Sequence, residues 1–165
     1  MQSCAQLQVS ITHMPLEGMR IQGKIPFASL DVEDTEQIQC PNPLKFALHI
    51  LPVQNGMLVQ GQLQTTLICR CDRCLENFNL PVVTDKVGHF FEEVHTTELD
   101  LTEDIREDIL LLFPQRAFCR ADCRGICPNC GQNLNVSECR CPPTHGGSDA
   151  WSILDNIDLP PEGDD

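Results

Sequence analysis

The sequence predicts an α+β protein: a mostly antiparallel β body, one amphipathic helix, and a Cys-rich zinc-binding C-terminal segment. Three observations in the 165 residues carry this prediction. Apolar residues alternate on both sides of Asn55-Gly56, the apolar period lengthens from two to nearly four past Asp100, and nine of the eleven cysteines fall in two clusters. With 41% apolar and 21% charged residues, the chain can bury a core and is not a disordered polymer. No apolar run reaches the length of a transmembrane helix. The start, Met1-Gln2-Ser3-Cys4, has no basic stretch leading into an apolar one, so the protein is expected to be cytoplasmic.

The first 35 residues read as short strands and turns. Leu7, Val9 and Ile11 alternate, and Ile21 to Phe27 is expected to form a second strand broken by Gly23 and Pro26. Asp31 to Glu36 is acidic and turn-like. Phe46, Leu48 and Ile50 then alternate into Asn55-Gly56, a strong hairpin dipeptide, and Leu58 to Ile68 returns with Leu63 and Leu67 in phase. A Cys-rich turn at 69–74 precedes Phe78 to Val94, which reads as one or two more strands. Beyond it, Leu101, Ile105, Ile109 and Leu112 share one helical face, with Asp100 and Glu103 placed to cap and Pro114 to stop a helix over about 101–113. Gly and Pro break up residues 115–145. Asp149 to Ile157 is expected to form a short helix that docks Trp151 and Leu154. The predicted organisation is a β body with its helix over 1–114, a zinc-knuckle segment over 115–145 packed on the 69–74 turn, and a short helix with an acidic tail over 146–165.

The clusters are Cys69-Arg70-Cys71-Asp72-Arg73-Cys74, and Cys119, Cys123, Cys127-Pro128-Asn129-Cys130-Gly131, Cys139-Arg140-Cys141. An odd total and no export signal argue against a disulfide framework. Cys-x-x-Cys turns suit tetrahedral zinc, because the loop brings two sulfurs to one ion while turn N–H groups point at them. Cys127 to Gly131 is the stronger of the two, since Pro sets the turn and Gly permits positive φ. Eight thiolates make one or two structural zinc sites. In one pairing Cys127, Cys130, Cys139 and Cys141 close locally, and Cys119 and Cys123 join Cys71 and Cys74. In the competing pairing Cys71 and Cys74 face Cys127 and Cys130. Spacing does not choose between them, nor between zinc and iron. Four thiolates saturate the ion, and the His-x-Glu that precedes a deaminase zinc is absent, so the reading is not enzymatic. Cys4, Cys40 and Cys69 are read as small buried apolar residues.

The net charge of −13 disfavours broad contact with nucleic acid and suits a basic partner. Residues 146–165 hold six acids and no base, whereas Arg70, Arg73, Arg120, Arg124 and Arg140 lie beside cysteines. Those arginines either screen thiolate charge or contact RNA or another partner.

Cys71-Asp72-Arg73-Cys74-Leu75-Glu76-Asn77-Phe78, Glu107 to Pro114, and Cys127-Pro128-Asn129-Cys130-Gly131-Gln132-Asn133-Leu134-Asn135 together resemble the YceD family, the large ribosomal RNA subunit accumulation proteins of bacteria and plastids. The resemblance spans about 58–157. Where the family's last helix usually begins with an Asp-Pro-Arg-like start, this chain has Asp149-Ala150-Trp151. The resemblance implies a cytoplasmic, non-enzymatic ribosome-biogenesis factor that supports accumulation of large-subunit ribosomal RNA. It also implies a small basic large-subunit ribosomal protein, precursor rRNA, or both as partner. The competing functions are a zinc-thiolate redox-switched chaperone, a zinc-ribbon regulator and a dithiol oxidoreductase.

Overall fold

The computed structural model describes residues 7–92 and 96–142. The strands are β1 (Gln8–Ser10), β2 (Met19–Ile25), β3 (Ile38–Gln39), β4 (Leu44–Val53), β5 (Gly56–Arg70), β6 (Asn77–Glu92) and β7 (Glu98–Asp100), followed by helix α1 (Thr102–Leu111). A 3₁₀ turn spans Phe27–Leu30. All pairings among the described residues are antiparallel. The main sheet runs β2-β4-β5-β3, with β6 on the other edge of β5, and β1 pairs β7 in a two-stranded sheet.

The β4–β5 hairpin forms where alternation places it, one residue earlier than the dipeptide suggests. Val53 pairs Gly56, so the loop is Gln54-Asn55, with Asn55 at φ 70. Gly56 already belongs to β5, where a Cβ would stand 2.1 Å from the Phe91 carbonyl oxygen. Residues 78–94 were expected to give one or two strands. A single strand, Asn77–Glu92, pairs β5 along almost its whole length, with a register shift between Gly61 and Leu63 that lets the long ribbon twist. The expected break of the second strand at Gly23 is a correction. β2 runs through Gly23 because the Phe46 ring of β4 covers it, and Pro26, which has no N–H to donate, ends the strand.

One sheet face, the 3₁₀ turn and α1 enclose the core. Leu101, Ile105 and Ile109 are fully buried, in one core cluster with Leu30, Leu44, Ile50, Val59 and Leu67. The Phe27 and Phe113 rings meet at 6.4 Å between centroids. Asp100 Oδ1 accepts from the Thr102 N–H at 2.9 Å. The second half of a capping box does not form: Glu103 reaches forward to Arg106 at 3.5 Å. The acids of the helix also meet the sheet. Asp104 and Asp108 turn to His89 of β6, at 3.5 and 2.8 Å. The two-stranded sheet, β1 on β7, brings Leu7 to the start of the helix, where its N–H donates to Thr102 Oγ1 at 2.9 Å. The expected helix over Asp149–Ile157 and the acidic tail lie outside the described residues, as does Val94. Among the described residues, no helix is long and apolar enough to cross a membrane.

Candidate metal centres

The sheet ends in a turn that begins the first cluster. β5 stops at Arg70, and Cys71 to Leu75 folds back so that the Leu75 N–H donates to the Cys71 carbonyl and the Cys71 N–H to the Glu76 carbonyl, both at 2.9 Å. Cys127 to Gly131 repeats the same backbone. Gly131 donates to the Cys127 carbonyl and Cys127 to the Gln132 carbonyl, both at 2.8 Å. The residue after the second cysteine is left-handed in each knuckle, Leu75 at φ 61 and Gly131 at φ 72.

The chain past α1 returns to the first knuckle through backbone and side-chain bonds. The Asp72 N–H donates to the Ala117 carbonyl, and Asp72 Oδ2 accepts from the Ala117 N–H, each at 2.8 Å. The Ile126 N–H donates to the Arg73 carbonyl at 3.1 Å. These bonds carry Cys119 and Cys123 to Cys71 and Cys74. Cys71 Sγ lies 3.8 Å from Cys123 Sγ, and Cys74 Sγ 3.7 Å from Cys119 Sγ. The second group is local: Cys139 Sγ lies 3.5 Å from Cys130 and 3.4 Å from Cys127, with Cys141 alongside. In each group all four sulfurs lie within 4.8 Å of one another. The structure thus groups Cys71, Cys74, Cys119 and Cys123 apart from Cys127, Cys130, Cys139 and Cys141.

These distances fit a metal ion and not a disulfide. A disulfide needs about 2.05 Å between sulfurs. Four sulfurs at about 2.3 Å from a tetrahedral ion stand about 3.8 Å apart, and the first group shows 3.7 and 3.8 Å. The second is drawn in by a few tenths of an ångström. The first group is enclosed, with Cys71, Cys74 and Cys123 buried, whereas Cys130 of the second is exposed. Cys69, on β5, is fully buried in the main core and belongs to neither group.

Polar hydrogens point at the sulfurs. Cys71 Sγ accepts from the Cys119 N–H at 3.4 Å, Cys127 Sγ from the Asn129 N–H at 3.4 Å, and Cys139 Sγ from the Cys141 N–H at 3.2 Å. Burial works against the Cys71 thiolate, but the N–H groups of Cys119, Cys74 and Arg73 outweigh it and bring the thiol down to about 6. Cys127, held by the N–H groups of Cys130 and Asn129, falls to about 7. Cys119, half-buried and faced by three other sulfurs, is pushed up to about 12. Each cluster therefore has sulfurs ready to ionise first, and like charge opposes the rest until a cation neutralises it.

Two residues that spacing alone did not single out complete the first centre. Asn135 Nδ2 donates to Cys123 Sγ at 3.3 Å, while its Oδ1 accepts from the Arg124 N–H at 2.8 Å and from Arg120 Nη2 at 2.7 Å. Asn133 Oδ1 holds the Asn135 amide at 3.0 Å. The signal was the Asn-x-Asn directly after the second knuckle, because Asn side chains organise backbone turns. The arginines divide. Arg73 donates to the Ala121 and Cys123 carbonyls at 3.4 and 3.1 Å and lies over the Phe118 ring at 4.7 Å. Arg120 serves Asn135 and Asp122. Arg70 Nε reaches the Leu75 carbonyl at 3.3 Å. Arg124 and Arg140 are exposed.

Fold and site together define a class: an antiparallel β protein whose irregular C-terminal segment carries two tetracysteine clusters able to hold metal, one shared with the sheet. The family model described as large ribosomal RNA subunit accumulation protein YceD matches residues 59–158. The chain belongs to that family. A maize protein named large ribosomal RNA subunit accumulation protein YCED homolog 1, chloroplastic, is 43% identical over 153 residues, covering 67% of this chain and 52% of its own length. An uncharacterized protein of Mycobacterium bovis is 30% identical over 110 residues, covering 55% of this chain and 51% of its own. The chain spans about half the length of these relatives. No solved structure matches it.

Proposed function

We propose that this chain is a non-enzymatic ribosome-biogenesis factor that supports accumulation of large-subunit ribosomal RNA by binding a small basic large-subunit ribosomal protein, precursor rRNA, or both. The observation that carries this reading is family membership over 59–158, which takes in most of β5, all of β6 and α1, and both clusters. The name of the maize relative supplies the RNA connection. The net charge of −13 favours a basic protein among the partners.

Cys71, Cys74, Cys119 and Cys123 would hold one zinc ion, and Cys127, Cys130, Cys139 and Cys141 a second. Zinc bound by four thiolates supplies a cross-link, since no coordination position is left for water. The chain's own residues do the rest: Asn135 and the knuckle N–H groups orient the sulfurs, and Arg73 ties the segment's carbonyls to the sheet turn. Arg124 and Arg140 present charge to a partner.

The test is a pull-down of large-subunit ribosomal proteins and an electrophoretic shift of large-subunit rRNA, each across a salt series. Binding of either above background, weakening as salt rises, is the expected result. Absence of both would overturn the reading.

A further inference from the structure

Charge is unevenly divided between the two sides of the sheet. Strands β2, β4 and β5 contain no Asp or Glu, in a chain that has 24 acids, but they contain Arg20, Lys24, Lys45 and Arg70. Side chains alternate along each strand, so these residues share the face opposite the core. In cross-strand register, Lys24, Lys45 and Gln64 form one row and Arg20, His49 and Gln60 another, with Gln22, Ala47 and Gln62 between them. The Lys row lines a concavity of about 260 Å³ with Asn42 and Thr66, and the Arg row lines one of about 570 Å³. No carboxylate lines either.

We propose that this outer face of β2, β4 and β5 is an RNA-binding surface that grips the phosphate backbone through Lys24, Lys45 and Arg20. The proposal rests on the ribosomal reading above and adds to it the surface and the mode of contact. Strand composition does not account for the pattern. A lysine on an open edge guards against sheet-to-sheet pairing, which explains Lys24 on the edge strand. Lys45 is on an interior strand, directly opposite Lys24, where like charges repel. An anion between the two turns that repulsion into attraction. The rows lie about 13 Å apart along the strands, so a backbone laid over the face meets positive charge at both ends and amide groups between.

The overall charge does not forbid this. The acids of α1 lie on the other side of the sheet, a layer about 10 Å away, and the Debye length is about 8 Å at physiological salt. The three strands place no Phe, Tyr or Trp on this face, so contact runs through phosphate and amides, with His49 the one ring among them.

Full-length, metal-loaded protein is titrated with transcribed large-subunit rRNA and, separately, with polyglutamate of similar charge, across a salt series. Replacing Arg20, Lys24 and Lys45 together by Ala is expected to weaken rRNA binding at least tenfold and to flatten the plot of log affinity against log salt by about 2 to 3. Gln62→Lys is expected to tighten binding and steepen the plot by about 1. Unchanged affinity in the triple variant, or polyglutamate bound as tightly as rRNA, would overturn the proposal. Capture of a basic ribosomal protein without any rRNA binding would overturn it while sparing the broader ribosomal reading.

Discussion

Replacing Cys74 by Ser, and separately Cys130 by Ser, removes one ligand from each cluster, yet the two changes differ in what they release. Cys74 and its neighbour Cys119 are 45 residues apart in sequence, whereas Cys130 and Cys139 are 9 apart. Treated as cross-links that restrict the unfolded chain, loops of these lengths are worth about 4 and about 2.6 kcal/mol. The difference, about 1.4 kcal/mol, is a tenfold change in the unfolding constant. The first cross-link also holds Asp72 on Ala117 and Arg73 on Ile126, so its loss frees a segment docked on the sheet. Both variants should bind one ion fewer by metal analysis. In urea titrations Cys74→Ser should lose more stability than Cys130→Ser. Hydrogen exchange should rise across 115–126 in Cys74→Ser and stay within 126–139 in Cys130→Ser. In excess chelator the chains should converge. Equal losses, or a larger loss for Cys130→Ser, would refute the assignment of the first cluster as the long-range staple.

Asn135→Ala removes the amide donor to Cys123 and the acceptor for Arg120 and Arg124, so metal affinity at the first centre should fall about 10- to 100-fold in chelator competition, with the second centre unchanged. Leu75→Gly relieves a left-handed residue worth about 1–2 kcal/mol of strain and costs about 0.4–1 in chain entropy, so urea unfolding should show a stabilisation between about 0 and 1.6 kcal/mol. Asp100→Ala should cost about 1 kcal/mol, because the carboxylate holds the first turn of α1. The Thr102 hydroxyl and N–H hold the Asp100 carboxyl below the ordinary carboxylate range. Its contribution is therefore complete above about pH 3.9 and is lost as pH falls through the lower folded value; the Ala variant should lack that acid limb.

Much of the fold was legible because it is written in local periodicity. The alternation through Leu44–Val53 and Gly56–Arg70 needs only neighbouring residues to be read, and so does the four-residue spacing of Leu101, Ile105 and Ile109. β7 was not legible, since three residues, Glu98–Asp100, become a strand only when Gln8–Ser10 pairs with them. Gly23 looked like a break because its packing partner, the Phe46 ring, belongs to another strand. The knuckle at Cys71 looked weaker than the one at Cys127 for want of a glycine, yet Leu75 takes the same left-handed turn. Hydrogen bonds from the Cys71 N–H and to the Cys71 carbonyl hold it there.

From its amino acids alone, this protein declares a β body, a single amphipathic helix, eight cysteines in metal-ligand spacing and its family likeness. Each is a matter of residue type and short-range spacing, which the chain carries before it folds. Tertiary structure decided which sulfurs meet, that Asn135 reaches Cys123, and that Arg73 and Arg120 are occupied within the loop. It also gathered the acid-free strands into one face. Contacts across 45 residues or across three strands depend on where the sheet brings the chain back, and no local pattern encodes that return.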